Sequence, residues 1–174
     1  MGGYRYQLTR IDPKTGVRKV LCELEGSVPM LTSLGPRRPE SVLVEWSTNN
    51  EPKYSVLNTT SGQSEVAYRG STTWYPCPSP DGAKVAWTMC PEEIADFRAG
   101  GSPLAKSMSL HWGVCVLDLQ THALRQLTWD KHDIVAGFAD GSTVLYFRQK
   151  HDVPTLRAVP TTGGPSRELW TWKP

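Results

Sequence analysis

Tyr75-Pro76-Cys77-Pro78-Ser79-Pro80-Asp81-Gly82-Ala83-Lys84-Val85-Ala86-Trp87 sets prolines and an acid–glycine pair before a short apolar run that ends in an aromatic. An Asp-Gly pair between β-rich runs is a strong hairpin signal: glycine supplies positive φ, and the aspartate bonds its own backbone. The arrangement occurs twice more. Pro39-Glu40-Ser41 precedes Val42-Leu43-Val44-Glu45-Trp46, and Ala139-Asp140-Gly141 precedes Val144-Leu145-Tyr146-Phe147. In each copy an aromatic (Trp46, Trp87 or Tyr146) stands six positions after the acidic residue.

A second pattern interleaves with the first. Asp12, Asn58, Asp118 and Pro160 each separate two β-rich runs, and nine positions later stand Leu21, Ala67, Leu127 and Leu169. Four positions after each hinge come Gly16, Gly62, His122 and Gly164, which is the composition that a tight hairpin needing positive φ selects. The hinges are 46, 60 and 42 residues apart. The middle spacing is long because of extra residues between Cys90 and His111; without about twenty of them it falls to roughly 40, the length of a four-stranded propeller blade. Strands such as Val114-Cys115-Val116-Leu117 are apolar on both faces, as a strand between neighbouring blades must be.

Composition agrees. The 15 Gly and 14 Pro among 174 residues punctuate the chain too often for a helix bundle, and seven Trp suit aromatic strands. Nineteen basic against 17 acidic side chains leave a net charge of +2, which gives no electrostatic reason to expect nucleic acid or a membrane surface. No apolar stretch approaches the ~20 residues of a membrane helix. Met1-Gly2-Gly3-Tyr4-Arg5 lacks the apolar centre of a signal peptide, so the cytoplasm is the default compartment.

The stretch Tyr75–Trp87 resembles the signature of TolB-like β-propeller repeats. Val114–Leu119 continuing to Arg125-Gln126-Leu127-Thr128 is similar to the strand pair that completes such a blade, and Leu156–Val159 through Gly163–Leu169 matches that half again. The first full blade departs from it, with Pro39-Glu40-Ser41 where Pro-Asp-Gly is expected. The resemblance implies an all-β fold, a partial β-propeller of about three and a half four-stranded blades. Its divisions are one propeller-type domain over 1–174: a half blade 4–24, a blade 27–69, a blade 72–129 with an insertion at 91–110, and a blade 133–172. Within the insertion, Pro91, Glu92, Glu93 and the stop Gly100-Gly101 predict one short helix over Pro91–Ala99. The family is a scaffold found in TolB, prolyl-oligopeptidase propellers and polysaccharide-acting proteins, so it implies fold rather than chemistry.

Cys22, Cys77, Cys90 and Cys115 contain no Cys-x-x-Cys pair, and all but Cys90 lie in apolar or strand-like runs, which predicts buried, reduced thiols. Only Cys115, near His111, has a candidate cation to activate it.

Three connections are expected to open on one face of the propeller: the insertion, the link Trp129–Asp133, and Arg148–Asp152. Together they would place Arg98, Trp129, Lys131, His132, Arg148, Lys150 and His151 on one rim, suited to a carboxylate-bearing peptide or an acidic sugar. The competing reading is an ordinary solvated loop face. No Gly-x-Ser-x-Gly elbow, phosphate-binding glycine loop or His-Glu-x-x-His is present, so no catalytic residue, cofactor or metal is assigned. His132-Asp133 and His151-Asp152 could each offer one metal ligand at best, since adjacent strand residues point to opposite sides.

The favoured function is a non-catalytic module that binds a protein or peptide through the insertion face. The alternative is a propeller domain of, or active unit in, a hydrolase or polysaccharide lyase, and a third reading is a partial propeller with no ligand. Six blades of ~40 residues need ~240, more than this chain has. An open arc would expose Val42, Val44 and Trp46 at one end and Leu156 and Trp170 at the other. Hence a homodimer burying well over ~1,000 Å² is expected, or else a natural protein that extends beyond Met1.

Overall fold

The computed structural model describes residues 4–26, 30–48, 51–69, 73–89, 113–130, 132–150 and 153–172. These form fourteen β-strands, with no helix among the described residues. The helix expected over Pro91–Ala99 lies outside them. The fold class is all-β, and the chain divides into two compact units, Met1–Leu34 with Arg38–Gly70, and Gly35–Arg37 with Ser71–Pro174.

In the first unit, β1 (Tyr4–Ile11) and β2 (Arg18–Gly26) form a two-stranded antiparallel ribbon. A four-stranded meander follows: β3 (Met30–Ser33), β4 (Ser41–Thr48), β5 (Glu51–Asn58) and β6 (Ser64–Arg69). The alternation in Tyr4-Arg5-Tyr6-Gln7-Leu8 gives the ribbon one apolar face, with Tyr6 opposite Leu24 and Leu8 opposite Cys22. That face packs with Val42, Val44, Trp46 and Leu57 around buried Leu24. The expectation that Val42, Val44 and Trp46 form an exposed flank is therefore corrected: the ribbon covers them, and Val44 is buried. The other face of the ribbon begins polar, with Arg5 and Glu25 in an ion pair and Gln7 donating to Glu23, and carries exposed Val20 and Ile11 toward the hinge.

The second unit holds two more meanders in chain order. One is β7 (Thr73–Pro78), β8 (Lys84–Met89), β9 (Gly113–Asp118) and β10 (Leu124–Gln126). The other is β11 (Asp133–Asp140), β12 (Thr143–Lys150), β13 (Val153–Pro160) and β14 (Arg167–Thr171). Ala86, Val114 and Val116 from the first meet Val135, Val144, Tyr146 and Val159 from the second in one core. Each of these valines contributes about 1.5–3 kcal/mol by leaving water.

The hinge turns share one construction. Asp12 Oδ1 accepts from the N–H groups of Lys14 (2.8 Å) and Thr15 (3.1 Å), Asn58 Oδ1 from Thr60 and Ser61 (both 2.9 Å), and Asp118 Oδ1 from Gln120 (3.0 Å) and Thr121 (2.9 Å). The residue four positions after the hinge closes the turn in the left-handed region: φ is +71° at Gly16, +81° at Gly62, +57° at His122 and +115° at Gly164. His122 thus holds a conformation that costs an L-residue roughly 1–2 kcal/mol. Seven positions after a hinge, Lys19 donates to the carbonyl of Thr60 and Arg125 to that of Thr162, so one turn braces the next. The acid–glycine turns also stack: Lys84 donates to the Gly141 carbonyl, and a Cβ at Gly141 would meet Asp81 Oδ2 at 3.0 Å.

Candidate functional site: one edge of the second unit

The start of β11, the end of β12 and the start of β13 lie at one edge of their sheet, because Asp133 pairs with Arg148 and Lys150 with Val153. The end of β8 and the start of β9 join this edge through hydrogen bonds. The Val135 N–H donates to Thr88 Oγ1 (2.9 Å), and the Val114 N–H donates to Thr128 Oγ1 (3.0 Å). Gly113 is required there, since a Cβ would lie 2.6 Å from the Thr128 carbonyl oxygen.

Beyond β10 the chain stays pinned to β9. The Leu127 N–H donates to the Val114 carbonyl (2.8 Å), and Gln126 Nε2 donates to the Thr128 carbonyl (2.9 Å). Trp129 follows directly and is 74% exposed. On its other side Asp130 is held by Arg148, 3.0 Å from Nη1 to Oδ2. The indole is thus presented to solvent from a backbone fixed on both sides.

Arg148 does more than face outward. Its Nε and Nη2 donate to the two carboxylate oxygens of Asp133, both at 2.8 Å, and Asp133 is fully buried. The guanidinium carbon lies 5.5 Å from the centre of the Tyr146 ring. Hydrogen bonding to Asp133 raises the Arg148 pKa further, so the guanidinium stays charged wherever the fold persists. A single guanidinium therefore serves two carboxylates at the head of the core. Between them His132 is exposed with φ +68°, a second non-glycine residue in the left-handed region.

Of the seven rim residues named from the sequence, Trp129, His132 and Arg148 are thereby brought to one edge. Arg98, Lys131 and His151 lie outside the described residues, as does the side chain of Lys150. Sequence reading did not pair Arg148 with Asp130 and Asp133, and weighed Asp133 only as a possible metal ligand. A count back from the Asp140-Gly141 turn would pair Asp133 with Lys150; two β-bulges in β11 shift the register to Arg148.

Among the described residues, the thiols of Cys22, Cys77 and Cys115 are unsuited to nucleophilic work. Burial pushes Cys115 up to about 12, and desolvation also raises Cys22 and Cys77. Among the described residues, no three His, Cys, Asp or Glu side chains cluster closely enough to hold a metal ion.

No family model and no curated protein matches the chain. Solved structures do. TolB from Acinetobacter baumannii superposes with a TM-score of 0.60 at 15% identity, over 94% of this chain and 37% of that one. The Pyrococcus horikoshii acylaminoacyl peptidase gives 0.65 at 10% identity, over 98% and 31%. An oligogalacturonate lyase in complex with manganese gives 0.61 at 15% identity, over 92% and 45%. The chain therefore spans less than half the length of each of these three structures. Identities this low speak for architecture alone, and that architecture is the one the turn signature implied: the chain has a TolB-like β-propeller fold.

Proposed function

We propose that the chain is a non-catalytic interaction module that grips a protein or peptide at the edge carrying Trp129. The observation that carries this reading is an indole 74% exposed on a backbone pinned at Thr128 and Asp130. Ordering a flexible loop would cost binding energy, whereas a fixed aromatic is already organised for a partner. In this reading the ribbon is a half blade (4–24) and the meanders are three blades (27–69, 72–129 and 133–172) of one propeller-type domain. Arg148 serves as a positioning residue, so the cationic part of recognition falls to Lys131, Lys150, His151 and Arg98, with His132 beside the indole.

The test is peptide selection from a random displayed library against the intact chain, followed by titration of the winners. Trp129→Ala is expected to weaken the selected peptides at least about tenfold, or 1.4 kcal/mol. Failure to recover any peptide with a Kd below about 100 μM, or equal binding by the variant, would overturn it.

A second reading rests on the fold shared with a peptidase and a lyase: a propeller domain serving, or acting as, a hydrolase or polysaccharide lyase. Chelator-sensitive turnover of acidic oligosaccharides or peptides by the isolated chain is the outcome that would favour it.

A further inference from the structure

Ile134, Phe147, Leu156 and Trp170 are successive cross-strand partners, one from each strand of the last sheet. Directly opposed residues share a face, so these four form a continuous apolar row across β11–β14. It is the face turned away from the core, because Val144, Tyr146 and Val159 occupy the alternate positions. Ile134 is 45% exposed, Phe147 42% and Trp170 47%. Trp172, 54% exposed, stands edge-on to Trp170 with ring centres 5.8 Å apart and extends the row.

The strand sequence itself is written for burial on both sides. In Val144-Leu145-Tyr146-Phe147 both alternating sets are apolar, which marks a strand covered on each face. In the ribbon, Tyr4–Leu8 alternates instead: Arg5 and Gln7 face outward opposite Glu25 and Glu23, and the apolar outward positions, Val20 and Ile11, stand apart toward the hinge. Over its Tyr4–Gln7 half the ribbon's outer face is therefore polar and ion-paired, whereas a second β11–β14 face offers an apolar row across all four strands.

We infer that the outer face of β11–β14 is a self-association surface whose occupant is the same face of a second copy, related by a twofold axis. A surface packed on itself in this way closes at two chains. The exposed parts of Ile134, Phe147, Trp170 and Trp172 supply about 400 Å² of apolar area per chain, given aromatic side chains of about 150–250 Å² each. That is roughly half of the ~800 Å² each partner contributes to a standard interface, the share expected for its dry centre. Gln149 and Arg167, on the same face by register, fall at the polar margin. The surface is independent of the Trp129 edge, so either assignment can fail alone.

The experiment is light scattering with size-exclusion chromatography on the intact chain from 1 to 100 μM, with Phe147→Lys and Trp170→Ala beside it. The expected result is twice the 19.3 kDa chain mass, with dissociation at least tenfold easier in each variant. Both residues face solvent in the single chain, and an unchanged far-ultraviolet spectrum and melting profile of the dilute variants shows that they still fold. Any of these results would overturn the inference: a monomer at 100 μM; growth past two chains with concentration, which means head-to-tail stacking; a dimer that both variants leave intact; or variants that dissociate only because they unfold. A Trp129→Ala chain that still dimerises shows the two surfaces to be separate, and one that does not overturns the placement on β11–β14.

Discussion

Strands β8 and β12 carry the same motif, an acid–glycine turn and then an apolar run with an aromatic six positions on, yet they end in different surroundings. Val85, Ala86, Trp87, Thr88 and Met89 are buried on both faces of β8. In β12, Val144 and Tyr146 are buried while Phe147 remains well exposed. The sequences do not predict that difference, because both runs are apolar at consecutive positions. An apolar run specifies that a strand is to be covered, not by what. Where β1 is polar on its outer face, over Tyr4–Leu8, it alternates; where β12 does not alternate, a covering surface is implied.

Three pairs of substitutions break or sharpen this contrast. Trp87→Ala should lose about 3–5 kcal/mol in urea unfolding, while Phe147→Ser in dilute, dissociated protein should lose less than about 1 kcal/mol. Equal losses would mean that the outer face of β12 is already covered within the single chain.

The next pair probes how the two sheets are joined at the Trp129 edge. Asp133→Ala strands Arg148 against the core and should cost about 2–3 kcal/mol. That is less than a fully buried pair would, because the guanidinium reaches solvent and keeps Asp130. Thr88→Val removes the acceptor for the Val135 N–H and should cost about 1–2 kcal/mol. Thermal melts rank the two, and a larger loss for Thr88→Val would show that the ion pair contributes little to holding the edge.

The smallest effects lie in the turns and carry opposite signs. His122→Gly relieves a left-handed residue and should gain about 0.5–1 kcal/mol, whereas Gly164→Ala should lose about 1 kcal/mol. No atom outside its immediate neighbours lies within 4 Å of a Cβ at Gly164, so any loss there reports backbone strain alone. A stabilising Gly164→Ala would refute the shared turn geometry.

These turns are also where the fold was legible. The hinge Asp, Asn and Asp residues act on their own backbone within three positions, so their signal is local and survives in a single sequence. His122 could be placed in the left-handed region from the phase of Gly16 and Gly62 alone. The candidate edge was legible only in part. Trp129 and Arg148 could be named from loop position, but the partner of Arg148 depends on two bulges that no turn residue announces. The cover over Val42, Val44 and Trp46 was missed for a related reason. Contact between β2 and β4 is a matter of packing between sheets, on which hairpin signals are silent.

One register position has a practical meaning. Met89 and Gly113 are direct partners on β8 and β9, so the chain leaves and re-enters the sheet at facing positions across residues 90–112. Whatever joins two facing positions is, to the sheet, only a closure of ends. Doubling its length changes the closure entropy by only about 0.6 kcal/mol. The sheet can therefore host connections of very different length and content at this point, provided that Gly113 is kept beside the Thr128 carbonyl. That makes the 89–113 junction a port at which one joining segment can be exchanged for another while the scaffold stays constant.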